Sequence, residues 1–242
     1  MNEYIPGRNG VLEALRAGRS INKIFMAEGK LEGTAKQVLA LAKAKAVPVV
    51  FVPRHKLAAM YEGNHQGVIA EAASQSYATV EDILAKARSK GEDPFVLLLA
   101  EIESPQNLGA IIRTAEIAGV HGIIIPKNNS VGLNATVAKV SAGATEYMPV
   151  ARVTNLNQTV KTLQAEGLWV YGADMGGSVL WEQEMRGPLA LVIGGEDRGI
   201  PRLLLENCDF RVAIPMRGQI SSLNASAAAA VMIYEVVRQR GL

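Results

Sequence analysis

The sequence has one cysteine, Cys208, so no disulfide can close within the chain. Histidine is equally scarce: His55, His65 and His121 are scattered, and no Cys/His cluster has the spacing of zinc ligands. We therefore assign no metal. The longest apolar runs, such as FVLLLA at 95–100, fall far short of the roughly 20 residues that a membrane-spanning helix needs. The opening MNEYIPGRNG lacks a basic-then-apolar signal pattern. These absences lead to the expectation of a cytoplasmic protein without a membrane partner. A strong excess of one charge is missing too: the net charge is +2, which alone points to no nucleic-acid partner. The excess is concentrated, however, since residues 1–75 carry ten Lys/Arg against six Asp/Glu. That asymmetry fits either a solvated surface or an RNA-facing patch.

With 242 residues, 49% of them hydrophobic and 20% charged, the chain has ordinary globular composition and enough length for two domains. Residues 1–75 read as a small α/β unit, with helices near 8–17, 34–45 and 54–61 and strands at 23–27, 47–52 and 67–73. Residues 76–94 read as a polar linker holding a helix over 79–90. From 95 to 242 strands and helices alternate again, as a parallel sheet with helical crossovers requires. Strands are expected at 95–100, 122–126, 147–150, 168–173, 189–193 and 212–216, and helices over 107–118, 134–142, 155–166 and 222–240.

Three clusters at the ends of those strands carry polar chemistry. After the strand at 95–100 comes SPQNLGAIIRTA (104–115), where Asn107 opens a helix and Arg113 offers a fork of donors suited to phosphate. The same residues also suit a helix cap and a surface ion pair between Arg113 and Glu116. After the strand at 189–193 comes GGEDRG (194–199), whose glycines permit close backbone approach with Glu196 at the mouth, or simply form a tight loop. It has neither the GxGxxG spacing of a dinucleotide turn nor the Lys-Ser/Thr of a phosphate loop, so a nicotinamide enzyme lacks its fingerprint here. Last comes IPMRGQISSLNASAAAA (214–230), which suits both a helix N-cap and a close-packing helix behind a covering loop.

Taken in order, NLGAIIRTA, VIGGEDRG and IPM…SSLNASAAA closely resemble the three motifs of the SpoU family of RNA 2'-O-methyltransferases. GRNGVLEALRAG (7–18) through HQGVIAEA (65–72) is similar to the small substrate-binding domain, related to ribosomal protein L30, that precedes the catalytic domain in several members. The resemblance implies a C-terminal SPOUT α/β domain with a trefoil knot, homodimers with sites near the subunit interface, and S-adenosylmethionine as methyl donor. It is strongest to the bacterial branch that methylates a guanosine ribose in the peptidyl-transferase loop of 23S rRNA. A tRNA guanosine methyltransferase and a non-catalytic RNA-binding or ribosome-assembly protein of the same fold are the alternatives.

Carried over by motif, the resemblance makes Asn107, Arg113, Glu196, Ser222 and Asn224 the catalytic set. It puts the donor against Gly194, Ile214, Met216 and Leu223. Arg113 would bind the phosphate beside the acceptor and stabilise a developing alkoxide, because guanidinium stays protonated in proteins. Glu196 would orient Arg113 or the hydroxyl. Two acids usual in the family's first motif are replaced here by Ser104 and Ala100, with Glu101 and Glu103 nearby but out of register.

Overall fold

The computed structural model describes residues 4–196, 198–220 and 222–241. Asp197 and Ser221 of the motifs lie outside them. The chain forms two compact units, one of residues 1–76 with 132–136 and one of residues 77–131 with 137–242.

The first unit contains β1 (Tyr4–Pro6), α1 (Arg8–Arg16), β2 (Ile21–Ala27), α2 (Thr34–Ala44), β3 (Val49–Val52), α3 (Arg54–Met60) and β4 (Val68–Ala72). Its sheet runs β1-β4-β2-β3, with β4 antiparallel to both neighbours and β2 parallel to β3. The helical stripe Val11, Leu12 and Leu15 of α1 buries against Ile24, Met26, Val38 and Val68, which makes one continuous core. Strand β1 was not legible in the sequence, since its three residues are too few to show a period. The Leu133 carbonyl belongs to this unit and accepts from the Ser74 N–H at 3.0 Å and the Asn22 amide at 2.9 Å.

The second unit begins with α4 (Val80–Lys90), the helix expected within 76–94. A Thr79–Asp82 capping box starts it and a left-handed Gly91 stops it. Its Ile83 and Leu84 are packed in the core of this unit. Then follow β5 (Phe95–Leu99), α5 (Pro105–Ile117), β6 (Gly122–Pro126), α6 (Ala135–Val140, whose first two residues are counted with the first unit), β7 (Val150–Val153), α7 (Leu156–Ala165), β8 (Trp169–Val179), β9 (Leu189–Ile193), α8 (Arg202–Glu206), β10 (Phe210–Ala213) and α9 (Ala225–Arg240). The six strands pair in parallel in the order β10-β8-β9-β5-β6-β7. Strands β5 and β9 are buried along their whole lengths, as central strands covered on both faces must be.

Three expected elements sit elsewhere. The strand expected at 147–150 is β7, three residues later, because Tyr147 and Met148 close a turn on the Ala144 carbonyl. The strand expected over 212–216 stops at Ala213, which leaves Ile214, Pro215 and Met216 outside the ladder. The last helix starts at Ala225 because Asn224 caps it, its Oδ1 accepting from the N–H groups of Ser226 and Ala227. Helix α8 was not foreseen; it is only five residues long.

Candidate active site

The three motifs meet beyond the carboxyl ends of β5 and β9, where an open parallel sheet leaves its crevice. The side chain of Ser104 caps α5 by accepting from the Asn107 N–H at 3.4 Å, and Pro105 occupies the first turn without wasting a donor. A serine therefore caps this helix at the position where the resemblance puts an acid. At the other departure Ala100 is buried and its N–H donates to the Ile193 carbonyl at 2.8 Å.

Asn107, Glu196 and Asn224 form one network. The Asn107 amide donates to Glu196 Oε1 at 2.9 Å, and the Asn224 amide donates to Asn107 Oδ1 at 3.0 Å and also to Glu196 Oε1. The Ala225 N–H, at the start of α9, adds a contact of 3.3 Å to the same oxygen. Glu196 Oε1 thus ties the beginnings of α5 and α9 to the loop after β9, while Oε2 has no hydrogen-bond partner among the described residues.

Beside the network lies a cavity of about 450 Å³ lined by Gly194, Glu196, Ile214, Met216, Ser222 and Leu223, with Met232 and Val212 among its apolar walls. All four residues expected to touch the donor are in this lining. The size and mixed lining suit a drug-sized ligand, with apolar walls for a base and backbone groups for polar edges. Glycine is required at two positions on chain geometry alone: a Cβ on Gly194 would stand 2.1 Å from the Gly199 carbonyl carbon, and one on Gly195 would stand 2.4 Å from the Glu101 oxygen. A second cavity of about 280 Å³, lined by Glu101, Ile102, Glu103, Ser104 and Asn107, shares Gly195, Glu196 and Arg198 with the first.

Arg113 is not part of this gathering within one chain. It is exposed on α5 and lines a separate concavity with Glu116, Ile117, Ser141, Gly143, Glu146 and Tyr147. The ion pair with Glu116 that its spacing allows does not form, and Arg113 has no hydrogen bond or ion pair with a described residue. What sequence reading missed is the cavity floor from β8, where Ala173, Asp174 and Met175 line the larger cavity. Gly172, Gly176 and Gly177 flank that stretch and were the signal that could have drawn attention to it. Among the described residues no group of three or more His, Cys, Asp or Glu is arranged to hold a metal, and no helix is long and apolar enough to cross a membrane.

Comparison with known proteins agrees with this geometry. Residues 94–234 match the SpoU rRNA Methylase family, and residues 4–78 match the RNA 2'-O ribose methyltransferase substrate-binding domain. The chain is 48% identical over 241 residues to YacO of Bacillus subtilis (strain 168), a protein named for the TrmH family of tRNA/rRNA methyltransferases, with 99% of this chain and 96% of that one covered. The S-adenosylmethionine-bound rRNA methyltransferase of Sinorhizobium meliloti superposes with a TM-score of 0.61 at 26% identity, covering 99% of this chain and 87% of that one. A structure described for 2-OH methylation of C/U34 on tRNA gives 0.55 at 26% identity and covers 61% of this chain and 96% of its own. With both units matched by these families and relatives, the chain belongs to the SpoU/TrmH family, and is an S-adenosylmethionine-dependent RNA 2'-O-ribose methyltransferase of SPOUT fold.

Proposed function

We propose that the protein methylates the ribose 2'-hydroxyl of a guanosine in 23S rRNA, as a homodimer. The observation that carries the site assignment is the Asn107–Glu196–Asn224 network on the rim of the cavity holding Gly194, Ile214, Met216 and Leu223. Support for rRNA comes from the first unit. The S. meliloti rRNA enzyme aligns with essentially the whole chain, whereas the tRNA C/U34 enzyme aligns with 61% of it and nearly all of itself. A tRNA substrate is the second reading, favoured by the tRNA/rRNA naming of the B. subtilis relative.

In this reading the donor lies in the family's trefoil knot and supplies a methyl group already activated on a sulfonium. The protein's task is the acceptor, since a ribose hydroxyl is a weak nucleophile. Glu196, held through Oε1, turns Oε2 to the hydroxyl and takes its proton as the new oxygen–carbon bond replaces the methyl group's bond to sulfur; Ser222 and Asn224 fix the loop that closes over it. Arg113 binds the neighbouring phosphate and stabilises the oxygen as charge develops. Because Arg113 and the network line different concavities of one chain, Arg113 serves the pocket of the partner subunit. Exposed Ile117 and Tyr147 beside it supply apolar surface for that interface.

The test is transfer of label from methyl-tritiated S-adenosylmethionine to unmodified 23S rRNA and, separately, to unmodified tRNA. Label confined to 23S rRNA supports the proposal. Label confined to tRNA replaces it with the second reading.

A further inference from the structure

We infer that Glu101 selects the acceptor base, its carboxylate receiving the N1–H and 2-amino group of guanine in the cavity next to the donor. The inference rests on the reading above and names the residue that makes the acceptor a guanosine.

A methyl group moves directly between two atoms in bonding distance, so acceptor and donor must occupy adjoining spaces. Only the cavity of about 280 Å³ shares Gly195, Glu196 and Arg198 with the donor cavity among those described above. Its remaining wall is the segment from Glu101 to Asn107. That wall is fixed at alternate points. Ala100 is held by the Ile193 carbonyl, Ile102 is buried with its carbonyl accepting from the Val131 N–H at 2.9 Å, and Ser104 caps α5. Between these anchors Glu101 and Glu103 reach the cavity, Glu101 half-buried and Glu103 exposed.

Glu101 also adopts φ of +56°, a left-handed backbone that glycine takes easily and glutamate does not. Its side chain has no hydrogen bond or ion pair with a described residue that would explain keeping it there. A carboxylate facing a polyanionic ligand repels phosphate, and is repaid only by a ligand edge rich in donors. Among the four standard bases guanine alone presents two adjacent N–H donors on its Watson–Crick edge, a match for the two oxygens of a carboxylate.

The experiment compares wild type, Glu101→Gln and Glu101→Gly for label transfer into unmodified 23S rRNA and tRNA transcripts, with nucleoside analysis of the product. Parallel transcripts carry inosine, which lacks the 2-amino group, in place of guanosine. Wild type should form 2'-O-methylguanosine and lose about tenfold or more in kcat/KM on the inosine transcript. Glu101→Gln should lose as much on guanosine, with little further loss on inosine and S-adenosylmethionine affinity unchanged. Glu101→Gly, which relieves the backbone, should melt no lower than wild type yet show the same loss. Competition binding of GMP against AMP provides a readout independent of turnover: wild type should favour GMP and Glu101→Gln should not. Full activity of Glu101→Gln on guanosine, a methylated nucleoside other than guanosine, or equal GMP and AMP binding by wild type would overturn the assignment. Label in tRNA as 2'-O-methylguanosine would remove the rRNA reading and leave Glu101 standing.

Discussion

Asn224 donates its amide to Asn107 Oδ1 at 3.0 Å across 117 positions of sequence, while its own Oδ1 caps α9. One side chain thus starts the last helix and joins it to the helix that carries Arg113. Asn224→Ala removes both functions and should lower stability by about 1–2 kcal/mol, read as a fall in melting temperature. Asn224→Asp keeps a capping oxygen but loses the amide that donates to Asn107 and sets a second carboxylate beside Glu196, so it should retain more stability than Ala while its activity falls. Equal stability of the two variants would show that the cap contributes little.

Gly195→Ala should damage the site without touching any ligand group, because its Cβ would stand 2.4 Å from the Glu101 carbonyl oxygen, a backbone atom that cannot swing aside. The loop after β9 must shift, and S-adenosylmethionine affinity should fall by about tenfold or more, measured by calorimetry. Retained affinity would mean that this loop has freedom the packing does not suggest.

Arg113→Ala should abolish turnover and leave donor binding nearly intact, because Arg113 lies outside the lining of the donor cavity. If it serves the partner's pocket, co-expressing Arg113→Ala with Glu196→Ala should restore about a quarter of wild-type activity, since half the dimers are mixed and each mixed dimer has one intact site. No restoration in a mixture shown to contain mixed dimers would place Arg113 and Glu196 in the same chain's site.

The buried His121 ring accepts from the Phe95 N–H through Nδ1 at 3.0 Å, so its Nε2–H faces Glu92 at 3.0 Å. Burial lowers its pKa from the ordinary 6.5, against the raising influence of Glu92. The unfolded chain therefore takes up this proton at higher pH than the folded one. The stability linked to it is full above about 6.5 and is lost as pH falls through the folded value. Melting temperatures between about pH 7.5 and 5.5 should decline more steeply for wild type than for His121→Gln, and parallel slopes would exclude this residue as the source.

Burial pushes the Cys208 thiol up to about 12, with Asp209 adding to the rise, and Sγ donates to the Leu204 carbonyl at 3.3 Å. The folded protein should react slowly with Ellman's reagent near pH 8 and quickly once denatured. Fast reaction in the native state would mean that the turn after α8 opens readily.

Much of this was legible in the sequence because the signals were local. The parallel strands β5 and β9 announce themselves as unbroken apolar runs, and Asn224 is a capping residue in the sequence as in the fold, whereas α5 begins at Pro105 with Ser104 as its cap and Asn107, expected to open that helix, lies in its first turn. The gathering of Gly194, Ile214, Met216 and Leu223 around one cavity followed from motif resemblance, since no periodicity relates positions from separate loops. Register and strand ends were harder. Tyr147 and Met148 look like a strand but are bent by the Ala144 carbonyl, a choice made by the preceding turn. The separation of Arg113 from Glu196 was invisible for a further reason: it depends on which face of α5 packs inward, and the buried face, Leu108, Ile111, Ile112 and Ala115, leaves Arg113 exposed.

The Glu196 carboxylate draws on residues 107, 224 and 225, so the network closes only when α9 has joined the fold. On a ribosome that extends chains at about 5–20 residues per second, the first motif is synthesised several seconds before its counterpart near the C-terminus. A nascent chain therefore carries its first motif through the synthesis of the 117 positions from Asn107 to Asn224 with no assembled pocket for the donor. Premature termination anywhere before α9 should yield fragments unable to hold the methyl donor, so competence arrives only with the synthesis of α9.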